Sequence, residues 1–257
     1  MTVPTGLLFL VPNTLDLGAT PPPPLDWSIP RGVIEQASRL THWIAENAKT
    51  TRAFLKRVDA IAPLCQPLQS LSIVELPRPA KGSSATPSTD AASKLLGPAL
   101  QGHDMGLISE AGLPGVADPG ATVVEAAHRS GIRVVSLAGP SAIVMALAAS
   151  GLQGQSFAFV GYLPVEAAAR AQKIRELEAL SRRQDQTQLM IETPYRNQAL
   201  FGALLEHLAS GTRLSVSCGL TLPEGFSRTD SIEGWRRKVT ALPSDIPAVF
   251  GLQAQRG

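Results

Sequence analysis

Twelve residues, SEAGLPGVADPG at 109–120, have the composition of a ligand loop. Three glycines let the backbone approach a bound molecule closely, and two prolines fix its shape so that little entropy is lost on binding. The same residues would also serve a tight strand-to-helix connection with no ligand. The preceding apolar run, Met105–Ser109, reads as a buried strand, so the segment leaves the carboxyl end of a parallel strand, where open α/β sheets place their ligands. A second glycine turn, AGPSA at 138–142, follows another such strand. Its Ser141 either caps the next helix or touches a ligand, and the amides there suit an anion such as a carboxylate. Two such loops on one sheet edge suggest a pocket. Further on, ETPYR at 192–196 gathers a carboxylate (Glu192), a phenol (Tyr195) and a guanidinium (Arg196). That is either a substrate-facing edge or a helix start with Glu192 and Arg196 solvated.

Other chemistries lack their carriers. His42, His103, His128 and His207 show no metal-ligand spacing, so no metal is expected. No GxSxG, P-loop or GxGxxG motif occurs, which removes the usual hydrolase, NTPase and dinucleotide signatures. A formal net charge of +2 gives no general electrostatic case for tight nucleic-acid binding and leaves room only for a local basic patch. Cys65 and Cys218 stand far apart and read as free thiols of a reducing compartment, a disulfide being the alternative. The apolar N-terminal stretch lacks a basic lead and is bracketed by Pro4 and Pro12, so it reads as a buried strand, not a signal peptide. The longest apolar run, Ala142–Ala149, is far short of the roughly 20 residues that span a bilayer. A cytoplasmic protein with no membrane partner is the expectation.

The elements that must position these residues alternate along the chain. Strands are expected at Gly6–Val11, Arg39–Ala45, Leu71–Leu76, Met105–Ser109 and Ile132–Leu137. Residues 18–30 carry Pro21–Pro24 and form a loop, and Pro77–Ser88 reads as a second, mobile one. Helices are expected at Lys49–Val58, with Phe54, Leu55 and Val58 on one face, and at Thr89–Leu100. Another is expected to start at Asp118-Pro119, Asp as N-cap and Pro as the first helical residue. This pattern is α/β, an open parallel sheet with helices on both faces. After a small-residue helix to Ser150, strands are expected at Phe157–Gly161, Gln188–Glu192, Arg213–Cys218, near Ser227–Ile232 and at Ala248–Leu252. Helices over Val165–Arg183, Arg196–Ala209 and Glu233–Thr240 separate them, and the close pair 213–218 and 227–232 permits antiparallel pairing. With a hinge at about Gly139, the chain divides into an N-terminal parallel-sheet domain, 1–139, and a C-terminal mixed-sheet domain, 140–257.

Taken in order, these segments resemble a known family. SEAGLPGVADPG (109–120) is similar to the "SDAGTPGISDPG" loop of the ribosomal RNA small subunit 2′-O-methyltransferase I group, within the tetrapyrrole (corrin/porphyrin) methylase superfamily. AGPSA (138–142) resembles its "PGPSA" turn, FVGYLP (159–164) its "FEGFLP", IETPYR (191–196) its "YESPHR", and AENAKTTRAFL (45–55) its "AEDTRHTRKLL". Departures fall in the first loop, Val11–Thr20, at Asn47 and Lys49, and in Gly219–Glu224, all segments where a substrate would sit.

The resemblance implies the tetrapyrrole-methylase fold, two α/β domains with S-adenosylmethionine in the cleft between them, and a homodimer. Gly112, Leu113, Pro114, Gly115, Asp118 and Pro119 would approach the cofactor through backbone groups. Ser141 and Ala142 would lie near its methionine or ribose part, and Pro12 and Asn13 at the entry to the cleft. It also implies a ribosomal RNA ribose 2′-hydroxyl as methyl acceptor. A tetrapyrrole-like small-molecule acceptor, and a catalytically silent cofactor- or RNA-binding homologue, are the alternatives. Methyl transfer from a sulfonium needs mainly in-line positioning, and a general base only when the acceptor's pKa is high. Glu110 and Glu192 are the candidate catalytic carboxylates, with Tyr195 and Arg196 orienting the substrate.

Overall fold

Short runs of β-favouring residues become the strands of a parallel sheet in the first half of the chain: β1 (Leu8–Val11), β2 (His42–Ala45), β3 (Ser72–Glu75), β4 (Met105–Ile108) and β5 (Val134–Ser136). All neighbours run parallel, in the order β3-β2-β4-β1-β5. The period of two along a strand splits β1 between two cores. Leu8 joins Ile44, Leu107 and Val123 on one face, while Phe9 and Val11 join Trp43, Phe54 and Leu55 on the other. α1 (Arg31–Arg39) and α2 (Ala48–Asp59) contribute to the second core, and α3 (Thr89–Leu95), α4 (Gly97–Leu100) and α5 (Ala121–Arg129) to the first. This computed structural model describes residues 4–77, 89–238 and 240–255. The segment read as a mobile loop lies, over 78–88, outside them.

The second half builds a mixed sheet in the order β6-β7-β10-β8-β9. Its strands are β6 (Phe157–Phe159), β7 (Thr187–Glu192), β8 (Arg213–Cys218), β9 (Phe226–Ser231) and β10 (Ala248–Gln253). β6 and β7 are parallel, and the other pairs, including β8 with β9, are antiparallel. α7 (Ala167–Gln184), α8 (Asn197–His207) and α9 (Ile232–Arg237) bury Ile174, Leu177, Leu200, Phe201 and Trp235 with Phe250 and Val216. α6 (Ala142–Ser150) sets Ile143 and Leu147 against Leu189. By contact density the chain forms two units, Met1–Leu15 with Thr20–Pro140, and Ser141–Gly257 with Asp16–Ala19. Among the described residues no helix is long and apolar enough to cross a membrane, and both cysteines are free.

Two local expectations are corrected. Residues 31–39 form α1, where the sequence reading assigned no element between the loop ending at 30 and a strand starting at Arg39; Val33, Ile34 and Ala37 bury one helical stripe after Pro30. The helix expected from Asp118-Pro119 begins instead at Ala121, with Gly120 as N-cap. The reason is local: the Pro119 carbonyl accepts from the Gly115 amide at 3.3 Å and so closes a loop turn. The first carbonyl to serve the helix is that of Gly120, which accepts from Val123 and Val124. Asp118 is thereby released from capping.

Candidate active site

The strand order places the end of β4 between the ends of β2 and β1, so the loop leaving β4 is flanked by Glu46 on one side and by Pro12 and Asn13 on the other. Its path turns through positive φ at Gly112, Gly115, Ala117 and Gly120. At Gly120, φ is +134°, and a Cβ would stand 3.2 Å from Leu107 Cδ2 and 3.3 Å from the Gly115 amide, so only glycine fits. Ala117 holds φ +63° despite its Cβ, which costs about 1–2 kcal/mol and marks the loop as held in place by its surroundings.

Asn13 does much of that holding. Its backbone bridges Gly112 in both directions, at 2.8 and 3.2 Å. Its buried side chain donates from Nδ2 to the carbonyls of Ser109 (3.1 Å) and Glu110 (3.0 Å), while Oδ1 accepts from the Thr14 amide (2.9 Å). With these bonds made, the loop still has spare capacity. Buried Ser109 Oγ has no partner, and the amides of Ala111 and Leu113 make no hydrogen bond among the described residues. A Cβ at Gly112 or Gly115 would meet nothing closer than 3.5 and 3.7 Å, respectively. Free amides and an orphan hydroxyl fit a small polar ligand.

Three carboxylates gather on the other flank. Glu46 Oε2 accepts from the Glu110 amide at 2.9 Å, and the Glu46 amide donates to the Ile108 carbonyl at 3.1 Å. Half-buried Asp118 has its pKa pushed up to about 7, first by desolvation and then by the charges of Glu46 and Glu110. Below the unfolded value of 3.8 both states carry the proton. As pH rises from there to about 7 the unfolded chain loses it first, so this group makes stability fall across that window. Asp118→Asn is therefore expected to stabilise the fold at pH 8 by about 1 kcal/mol, allowing for solvent screening. Chemical denaturation should show that gain shrinking towards zero by pH 4.

After β5, Gly139 touches Pro12: a Cβ there would lie 2.2 Å from Pro12 Cβ and 2.4 Å from Cγ, so any larger residue must displace that buried ring. Ser141, buried at the N-cap of α6, makes no capping bond with its side chain, and the hydroxyl does not saturate the amides of Ala142 and its neighbours.

Glu192, Tyr195 and Arg196 belong to the second unit. Glu192, at the end of β7, is only 1% exposed; Oε1 accepts from the Thr193 amide (2.8 Å) and hydroxyl (3.3 Å), and Oε2 lies 2.9 Å from an Arg196 guanidinium nitrogen. Arg196 also donates to the Leu163 carbonyl at 3.5 Å. Carboxylate and guanidinium thus engage each other, while Tyr195 between them is exposed. Glu110 belongs to the first unit, with the loop. Among the described residues no cluster of three or more His, Cys, Asp or Glu could hold a metal.

Residues 45–229 match the family of Tetrapyrrole (Corrin/Porphyrin) Methylases. The chain belongs to this family. The chain is 38% identical over 143 residues to the ribosomal RNA small subunit methyltransferase I of Mesorhizobium japonicum, a stretch that is 56% of the chain and 47% of that protein. It is 35% identical over 186 residues to the protein of the same name from Bacillus subtilis, covering 70% of the chain and 62% of the relative. It thus spans less than two thirds of the length of either. Among solved structures, the methyltransferase CobJ aligns over 97% of the chain and 95% of its own, with a TM-score of 0.57 and 15% identity. Uroporphyrin-III-C-methyltransferase from Thermus thermophilus aligns over 96% and 92%, with a TM-score of 0.50 and 20% identity. Both likenesses are of fold. Glu46 escaped the sequence reading, and Asn13 was placed at the cleft entry only through the resemblance, without its side-chain bonds to the loop. Their signal was position alone, each lying just beyond a strand at the ligand edge.

Proposed function

We propose that this tetrapyrrole methylase transfers a methyl group from S-adenosylmethionine to a ribose 2′-hydroxyl of RNA, as a homodimer in the cytoplasm. The observation that carries the proposal is Asp118, a carboxyl group titrating at about 7 beside a glycine loop with unspent hydrogen-bonding groups. A ribose hydroxyl is a weak acid and needs a base poised near the working pH, which Asp118 supplies and an ordinary carboxylate does not. The RNA acceptor is supported by the names of the relatives, ribosomal RNA small subunit methyltransferases I.

In this reading Gly112, Leu113, Pro114, Gly115 and Pro119 hold the cofactor through the backbone, with Ser109 Oγ as a further contact. When bound, S-adenosylmethionine supplies a methyl group already activated by its sulfonium. Asp118 takes the hydroxyl proton on its carboxylate, and Glu46 and Glu110 keep that carboxylate basic. Pro12 and Asn13 fix the loop. Glu192 and Arg196 act through each other as the support for Tyr195.

Transfer of labelled methyl from S-adenosylmethionine to small ribosomal subunits tests the proposal. Asp118→Asn is expected to slow transfer by about 100-fold, with cofactor affinity by calorimetry within about twofold of the parent. Failure of the parent chain to bind S-adenosylmethionine would overturn the reading altogether. Full activity in Asp118→Asn would remove the base.

A further inference from the structure

We propose that Tyr162 and Tyr195 form a paired stacking platform that grips unpaired bases of the RNA acceptor. The inference rests on the RNA reading above and extends it to a surface of the second unit. The chain has only two tyrosines, and both are exposed, Tyr162 at 57% and Tyr195 at 78%. Both lie at the C-terminal ends of parallel neighbours, Tyr162 after β6 and Tyr195 after β7; the register pairs Phe159 with Leu189, so Tyr162 stands level with the end of β7 and Tyr195 about three residues further on. Two large rings are therefore carried to one sheet edge, the edge where α/β folds take ligands.

Their supports are rigid although the rings are open to solvent. The Ile191 amide donates to the Gly161 carbonyl at 3.2 Å, fixing the residue before Tyr162 to β7. Arg196 joins both segments, donating to the carbonyl of Leu163, next to one ring, from the residue next to the other. Its ion pair with Glu192 anchors the turn carrying Tyr195 at the sheet's end. Such a frame spends a buried ion pair on holding an exposed phenol, which packing within the unit does not call for.

The chemistry of the occupant follows from this openness. A flat small molecule is normally enclosed over most of its surface, whereas both rings are more than half exposed. A flexible single strand needs no enclosure. Unpaired bases stack on aromatic faces with little regard to sequence, and single-stranded RNA is the form in which proteins splay bases out for recognition.

The test uses the full chain and fluorescein-labelled A12 and U12 RNA in anisotropy titrations. Tyr162→Ala and Tyr195→Ala are each expected to weaken A12 binding by about tenfold, while the Phe variants stay within about twofold. Because stacking releases no counterions, the salt dependence should be unchanged in all four variants. Cofactor affinity should not move. Ala variants that bind A12 and label small subunits like the parent would overturn the platform while leaving the RNA reading intact. A parent chain that binds S-adenosylmethionine but neither RNA, and transfers no methyl to small subunits, would overturn both. Uroporphyrin binding that depends on the two tyrosines, without RNA binding, would replace RNA by a tetrapyrrole.

Discussion

Arg196→Met is expected to lower the free energy of unfolding by about 3 kcal/mol, the largest effect of any single substitution considered for this chain. Methionine keeps the apolar stem of arginine and removes only the guanidinium. What remains is Glu192, 1% exposed, with its Oε1 satisfied by Thr193 and its Oε2 facing no cation. The arginine is itself 20% exposed, which places the cost at the lower end of the range for buried pairs. Adding Glu192→Gln to Arg196→Met should recover a good part of the loss, because a neutral amide removes the uncompensated charge. Urea denaturation of the four members of this cycle measures it. A loss below 1 kcal/mol in Arg196→Met would mean that water already screens the pair.

Asn13→Leu comes next, with an expected loss of about 2–3 kcal/mol. Leucine matches the volume but abandons three hydrogen bonds, to the Ser109 and Glu110 carbonyls and from the Thr14 amide. Asn13→Asp should also destabilise, since the aspartate oxygen would face the two carbonyls and add negative charge beside Glu46 and Glu110. Because the loop loses its tie to β1, S-adenosylmethionine affinity should fall together with stability in both variants. Calorimetry read beside denaturation separates this from a purely global effect: an unchanged affinity would show that the loop keeps its shape without Asn13.

How much of this was legible in the sequence depends on the range of the forces involved. The strands β1, β4, β7, β8 and β10 were readable because apolar runs bounded by Gly and Pro specify them locally. Helix α1 was not, because the proline run before it masked a short amphipathic stripe, Val33, Ile34 and Ala37, that becomes a signal only once Pro30 is seen as its start. The glycine loop was visible as a loop, and its composition suggested a ligand. Asp118 was misread locally: Asp-Pro is a strong helix start, and here Gly120 displaces that start by two residues. Its raised pKa comes first from burial and then from the charges of Glu46, 72 positions away along the chain, and Glu110, and no local pattern could carry the first two. Likewise Glu192 and Arg196 are four apart and read either as a substrate-facing edge or as a solvated helix start, whereas burial at the end of β7 joins them.

The way Asn13 stitches the loop to β1 has a consequence for how this protein can change over generations. The stitching uses the backbone of Gly112 and the carbonyls of Ser109 and Glu110, while the side chains of Ala111, Val116 and Ala117 take no part in it. Of these, Ala111 and Val116 can drift in size and polarity without altering the path of the chain, whereas the left-handed φ of Ala117 restricts what can replace it. On the function proposed above, a lineage could swap one methyl acceptor for another through successive replacements on the loop's outer surface, the proposed cofactor seat being inherited unchanged.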